Sequence, residues 1–179
     1  MDAGAVPGGV AKRGMKVFGF AGWSGSGKTT LIEQLIPRFT RRGLTVSLIK
    51  HAHHGFDVDR PGKDSYRHRE AGCKEVLVSS ELRWVLMHEL RGEPEVTLDE
   101  QIGRVSPCDL LLIEGYKRYP MPKLEIWRKE NAKPFLHPED EHIVALASDE
   151  AVSESRLPRF DLGDYEGIAD FVLQFNGLA

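Results

Sequence analysis

Residues 22–29 read Gly22-Trp23-Ser24-Gly25-Ser26-Gly27-Lys28-Thr29, followed at once by Thr30. This order fits G-x-x-x-x-G-K-[ST], a loop whose glycines let successive backbone N–H groups turn inward onto phosphate oxygens. Within it Lys28 is spaced to reach the β- and γ-phosphates of a nucleoside triphosphate, and the Thr29 hydroxyl to ligate Mg²⁺. An accidental glycine-rich turn is the bland alternative. The context argues against it: a short apolar run, residues 15–21, precedes the loop, and a helical pattern follows.

A phosphate loop of this kind needs an acidic partner for the metal. The run "DLLLIEGYK" offers Asp109 before a strand and Glu114 after it. Ligands bind beyond the carboxyl ends of strands in open α/β sheets, so Glu114 falls on the phosphate side and Asp109 on the far side. Glu114 is expected to hold Mg²⁺ or one of its waters; a surface glutamate in a turn is the alternative. The segment "KHAHHGFDVDRPGKDS" (50–65) follows another strand and opens on the same side. Its mixture suits a loop that closes on a nucleotide, with Asp59 meeting the metal or orienting the attacking water and Lys63 neutralising phosphate charge. His51, His53 and His54 could instead bind a transition metal, or the loop could be merely structural. Recognition of the base is the weakest link. A carboxylate can accept guanine's adjacent N1–H and N2–H₂ donors together, and Asp149, just past a buried strand, is the candidate. Ser148 and Asp149 read equally well as a helix start.

These residues need a scaffold. Strands are expected at 15–21, 44–51, 109–115, 123–128 and 142–148, and helices at about 28–42, 64–72 and 165–175. In the first helix Leu31, Leu35 and Phe39 form a core face, and Pro37 sits inside it. Thr97 and Glu100 have capping-box spacing and start a helix to about Val105. Asp164 is placed to cap the last helix. Residues 74–80 and 83–89 read as an antiparallel hairpin. Alternating strands and helices give an α/β fold of three layers, the P-loop NTPase type, with a mainly parallel sheet and an antiparallel hairpin near one edge. Residues 1–14 lack an apolar segment and read as a flexible tail, leaving 15–179 as a single nucleotide-binding domain.

Composition narrows the partners. Apolar residues make up 41 % and charged residues 28 % of the 179, with a net charge of −3, so no basic surface is available to track a nucleic-acid backbone. Neither a membrane partner nor a disulfide framework is expected, because no long apolar run occurs and Cys73 and Cys108 are isolated. A reducing, cytoplasmic setting fits.

The phosphate loop, the long H-x-H-H-x-F-D-x-D-x-x-G-K-D-S run, the D-L-x-x-x-E-G-Y-K element and "ALASD" together resemble the MobB family of molybdopterin-guanine dinucleotide biosynthesis adapter proteins. The resemblance spans about residues 15–175. It implies a cytoplasmic GTP-binding protein with weak GTPase activity, acting where GMP is joined to molybdopterin during molybdenum cofactor maturation. It also implies a MobA-type guanylyltransferase and a MoeA-type insertion protein as partners. Homodimers whose strands extend a common sheet are implied too, with the 74–89 hairpin as the candidate edge. Two other classes share parts of the pattern. A UreG- or HypB-like metallochaperone would usually pair Cys with His, and here neither cysteine has a neighbouring histidine. A small-molecule or nucleoside kinase would carry a basic lid, which residues 114–133 can imitate.

Overall fold

Short β-branched and leucine-rich runs with no room for a helix become the strands of one sheet. The computed structural model describes residues 14–52, 55–150 and 155–179. The contacts divide the chain into two compact units, one of residues up to His51 and from Leu98 onward, the other Ala52–Thr97.

The larger unit holds a six-stranded sheet. Its strands are β1 (Lys16–Ala21), β2 (Val46–Lys50), β5 (Leu110–Glu114), β6 (Lys123–Trp127), β7 (Ile143–Ser148) and β8 (Arg159–Asp161). They lie in the order β2-β5-β1-β6-β7-β8, every pair parallel. Helices α1 (Lys28–Arg41) and α4 (Tyr165–Phe175) cover one face, and α3 (Leu98–Arg104) the other. The alternation along β1 and β5 sorts the core. Phe18, Phe20, Leu110 and Leu112 point to Leu31, Leu35 and Phe39 of α1, whereas Val17, Leu111 and Ile113 point to Leu98 and Ile102 of α3. This is the expected three-layer α/β arrangement. Asp164 caps α4 as expected, its carboxylate accepting the N–H of Gly167.

β6 looks too charged for a central strand, yet all five of its residues are buried. Its charges are satisfied locally. The Lys123 ammonium donates to the carbonyls of Lys117 and Tyr119 and to Asp140 at 2.7–2.8 Å. Glu125 accepts the N–H groups of Leu136 and His137. Both residues thereby fix the loops beside the strand's two ends.

The smaller unit contains α2 (Asp64–Glu70) and the hairpin β3 (Glu75–Ser79) and β4 (Trp84–His88). The antiparallel pairing is as expected, and the hairpin is a two-stranded sheet of its own. The three-residue strand β8 has no counterpart in the sequence reading, being too short for any periodicity to register. Residues 1–13, where the tail was expected, and His53 and His54 lie outside the described residues. Among those described, no helix is long and apolar enough to cross a membrane.

Candidate functional site

The loop between β1 and α1 is shaped by its glycines. A Cβ at Gly22 would stand 2.4 Å from the carbonyl oxygen of Ile126 on β6, so only glycine lets the loop leave the sheet here. Gly27, immediately before α1, adopts φ 92° and faces the Arg128 guanidinium, whose Nε and Nη2 would lie 3.2 Å from a Cβ there. The N–H groups of Lys28, Thr29 and Thr30 make no backbone hydrogen bond among the described residues, as the first turn of a helix requires. Unpaired donors and the positive end of α1 thus face the loop, an arrangement that accepts phosphate. Ser24, Gly25 and Thr30 are exposed, while Ser26 is buried.

Lys28 is folded back onto the loop, its ammonium donating to the carbonyls of Gly22 at 3.0 Å and Trp23 at 2.8 Å. Partial burial holds its pKa below the ordinary lysine range. Glu114 opposes that shift, and the positive charges of Lys117 and Lys50 add to it. Positive charge is therefore in surplus here, which suits a polyanion.

Glu114 ends β5, buried, in register with Phe20 on β1 and Lys50 on β2. Its Oε1 accepts the Thr29 hydroxyl at 2.7 Å and the Lys50 ammonium at 3.1 Å, and that ammonium also donates to Thr29 Oγ1 at 3.2 Å. A hydroxyl and a carboxylate converge on one point, and that point already carries a positive charge. Hard oxygen donors of this kind fit Mg²⁺, with phosphate oxygens and water completing the shell. Asp109 stands at the other end of β5, its carboxylate taking the N–H and hydroxyl of Thr45 at 2.7 and 2.6 Å. Those bonds hold its pKa below the usual carboxylate range.

The family model described as molybdopterin guanine dinucleotide synthesis protein B matches residues 17–149, which span the loop, Lys50, Glu114 and Arg128. The chain is 41 % identical over 169 residues to the molybdopterin-guanine dinucleotide biosynthesis adapter protein of Escherichia coli (strain K12), covering 93 % of this chain and 96 % of that protein. It is 42 % identical over 160 residues to the adapter protein of Haemophilus influenzae, covering 87 % and 86 %. The solved structure of Bacillus subtilis MobB overlaps it with a TM-score of 0.71 at 27 % identity, over 89 % of this chain and 96 % of that one. The chain belongs to the MobB family.

In this MobB-family chain the remaining candidates have distinct surroundings. Asp59 and Lys63 belong to the smaller unit. Asp59 Oδ1 accepts the Ser65 hydroxyl at 2.8 Å and the Arg60 N–H at 2.9 Å, and Oδ2 lies 3.4 Å from Arg69 Nε. Lys63 is exposed, in extended conformation directly before α2. Asp149 follows β7 and accepts the N–H of Lys129, the second residue after β6, at 2.9 Å. Ser148 and Glu150 close a small turn through the Ser148 hydroxyl; the residues a helix would next occupy, 151–154, lie outside the described ones. The His51 ring packs on Tyr116 with centroids 4.8 Å apart. Among the described residues no three His, Cys, Asp or Glu side chains are grouped to hold a metal ion.

Lys50, Arg128 and Asn131 have no individual role in the sequence reading, although the last two lie in the basic stretch 114–133. Lys50 and Arg128 immediately end or follow parallel strands, as Glu114 does. Arg128 Nε donates to the Ser26 carbonyl at 3.1 Å, tying the end of β6 to the loop. Asn131 sits 3.3 Å from where a Gly25 Cβ would be. The rule that selects Glu114, the carboxyl end of a strand, also selects Lys50 and Arg128.

Proposed function

We propose that this MobB-family chain is a GTP-binding adapter with weak Mg²⁺-dependent GTPase activity, assisting attachment of GMP to molybdopterin in molybdenum cofactor biosynthesis. The observation that carries the nucleotide part is the contact of Thr29 Oγ1 with Glu114 Oε1 at the mouth of the phosphate loop. The adapter part rests on similarity to the Escherichia coli and Haemophilus influenzae adapter proteins, each matched across most of its length.

The N–H groups from Gly22 to Thr30 cradle the phosphates, and Lys28 moves from its carbonyl partners onto the β- and γ-oxygens. Thr29 and Glu114 would hold the metal. Mg²⁺, when bound, neutralises phosphate charge and orients the leaving group. Asp149, whose Oδ1 also accepts the Lys129 N–H, presents its carboxylate to guanine's N1–H and N2–H₂ donors. Asp59 and Lys63 act from the following loop when it closes. The partners are a MobA-type guanylyltransferase and a MoeA-type insertion protein, in the cytoplasm. The protein works as a homodimer through the hairpin, a reading supported by exposed Leu77, Trp84 and Leu86 on β3 and β4.

Binding and hydrolysis of GTP, XTP and ATP, with and without Mg²⁺ and with candidate phosphate acceptors, test this directly. GTP preference in Mg²⁺ with slow phosphate release is expected. Transfer of phosphate from ATP to an acceptor would replace the adapter by a kinase. Stimulation of a MobA-type guanylyltransferase by added protein tests the adapter role, and no stimulation would remove it.

A further inference from the structure

Lys50 is the last residue of β2 and lies level with Glu114 on the adjacent strand. Its neighbour Ile49 points into the core on the α3 face, so the Lys50 side chain leaves the sheet on the α1 face, beside Thr29. The ammonium is 3.1 Å from Glu114 Oε1 and 3.2 Å from Thr29 Oγ1, and these oxygens are 2.7 Å from each other. They are the two oxygens that a divalent cation would need. Two cations cannot share one carboxylate oxygen at such distances without strong repulsion.

The two lysines of the pocket differ in how they are held. Lys28 is anchored by two loop carbonyls, whereas the Lys50 side chain is 51 % exposed and reaches inward only at its tip. Glu114 is 7 % exposed, and a carboxylate so buried needs a countercharge at all times. Lys50 supplies one, and its flexible stem can withdraw into solvent.

We propose that Lys50 is an internal surrogate cation: its ammonium holds the divalent-cation position between Thr29 and Glu114 in the nucleotide-free protein. Arrival of the Mg²⁺–triphosphate complex displaces it, and the freed ammonium pairs with phosphate oxygens. This rests on the nucleotide–metal reading above. Lys50 is a positioning residue here, keeping both ligands aimed at one point until the metal arrives. It also lets triphosphate enter when Mg²⁺ is scarce.

The full chain is tested as wild type, Lys50→Met, Lys50→Gln, Lys50→Arg and the double variant Lys50→Met/Glu114→Gln. Mn²⁺ binding without nucleotide is read by electron paramagnetic resonance, and GTP affinity is measured in Mg²⁺ and in chelator. Lys50→Met and Lys50→Gln should bind Mn²⁺ about tenfold more tightly than wild type, and the double variant should lose the gain. Lys50→Arg should stay near wild type. The ratio of GTP Kd in chelator to that in Mg²⁺ should rise about tenfold in Lys50→Met. Two uncharged replacements keep the test decisive should one fail to fold. Unchanged Mn²⁺ affinity in a folded Lys50→Met or Lys50→Gln, with normal Mg²⁺-dependent GTP binding, would overturn the surrogate role alone. Wild-type protein that binds no triphosphate in Mg²⁺ would overturn the site reading and this role together.

Discussion

Two clusters of charge in this chain are built on opposite balances. At the ends of β2 and β5 a single buried carboxylate, Glu114, meets Lys50, and Lys28 nearby feels the charges of Glu114, Lys117 and Lys50. In the smaller unit a single guanidinium, Arg69, meets three carboxylates: Asp57 at 2.8 Å, Glu89 at 2.8 Å and Asp59 at 3.4 Å. Each nitrogen of Arg69 faces its own carboxylate. Bonds to Glu89 and Asp57 raise its pKa further above an already high value. The first cluster has cations to spare and is completed by an anion; the second sets one guanidinium among three carboxylates, with Arg69 Nε and Asp59 Oδ2 paired by charge alone. A cationic surplus beside a glycine loop points to an anionic ligand, and a guanidinium that ties together carboxylates from one unit points to architecture.

The sharpest way to break that contrast is at Lys28. Lys28→Ala should lower triphosphate affinity by at least about a hundredfold while circular dichroism and Tm stay near wild type, because the lost donor serves phosphate and not packing. Affinity within about threefold of wild type would show that the cationic surplus is not for phosphate. Next in size is Glu114→Gln, which keeps shape and removes charge. Turnover should fall about tenfold or more, with a smaller loss of binding. Equal turnover would move the metal role to Asp59.

Arg128→Ala sharpens the boundary of the first cluster. The Nε bond to the Ser26 carbonyl fixes the outer side of the loop, and the two terminal nitrogens make no hydrogen bond among the described residues. GTP affinity should drop about threefold to tenfold, equally in Mg²⁺ and in chelator. Thr29→Ala should instead lose affinity mainly in Mg²⁺. A metal-dependent loss in Arg128→Ala would mean that the guanidinium acts through the cation and not through the loop.

Much of this was legible in the chain, for a physical reason. The phosphate loop, the strand ending in Glu114 and the capped helix α4 depend on contacts within a few residues, where spacing carries the information. The partners of Asp59 and Asp149 do not. Arg69 meets Asp59 from ten positions along, across a turn and onto α2, and Lys129 meets Asp149 from a neighbouring strand end. Lys50 was legible as a residue but not as a counter-ion, because its task follows from register between β2 and β5. Buried Lys123 and Glu125 look like surface residues in the sequence; only the carbonyls and N–H groups of the flanking loops explain them.

The smallest effect tests the second cluster by pH. The N–H of Asp59 and the Arg69 guanidinium hold the Asp57 pKa below the ordinary carboxylate range. A depressed folded-state value means that its stabilisation is fully present above the unfolded value of about 4 and is lost as pH falls through the folded one. Asp57→Asn keeps the shape and removes the charge, so it should lower Tm modestly at pH 7 and accelerate tryptic cleavage at Lys63 and Arg67. GTP affinity should stay within about twofold, since no partner is shared with the loop. As pH falls through the depressed folded-state value the Tm difference from wild type should close, and 1 M salt should narrow it at pH 7 because the carboxylate is 42 % exposed. A difference that persists unchanged into acid would assign Asp57 a packing role instead of an ionic one. A tenfold loss of GTP affinity would dissolve the distinction between the two clusters.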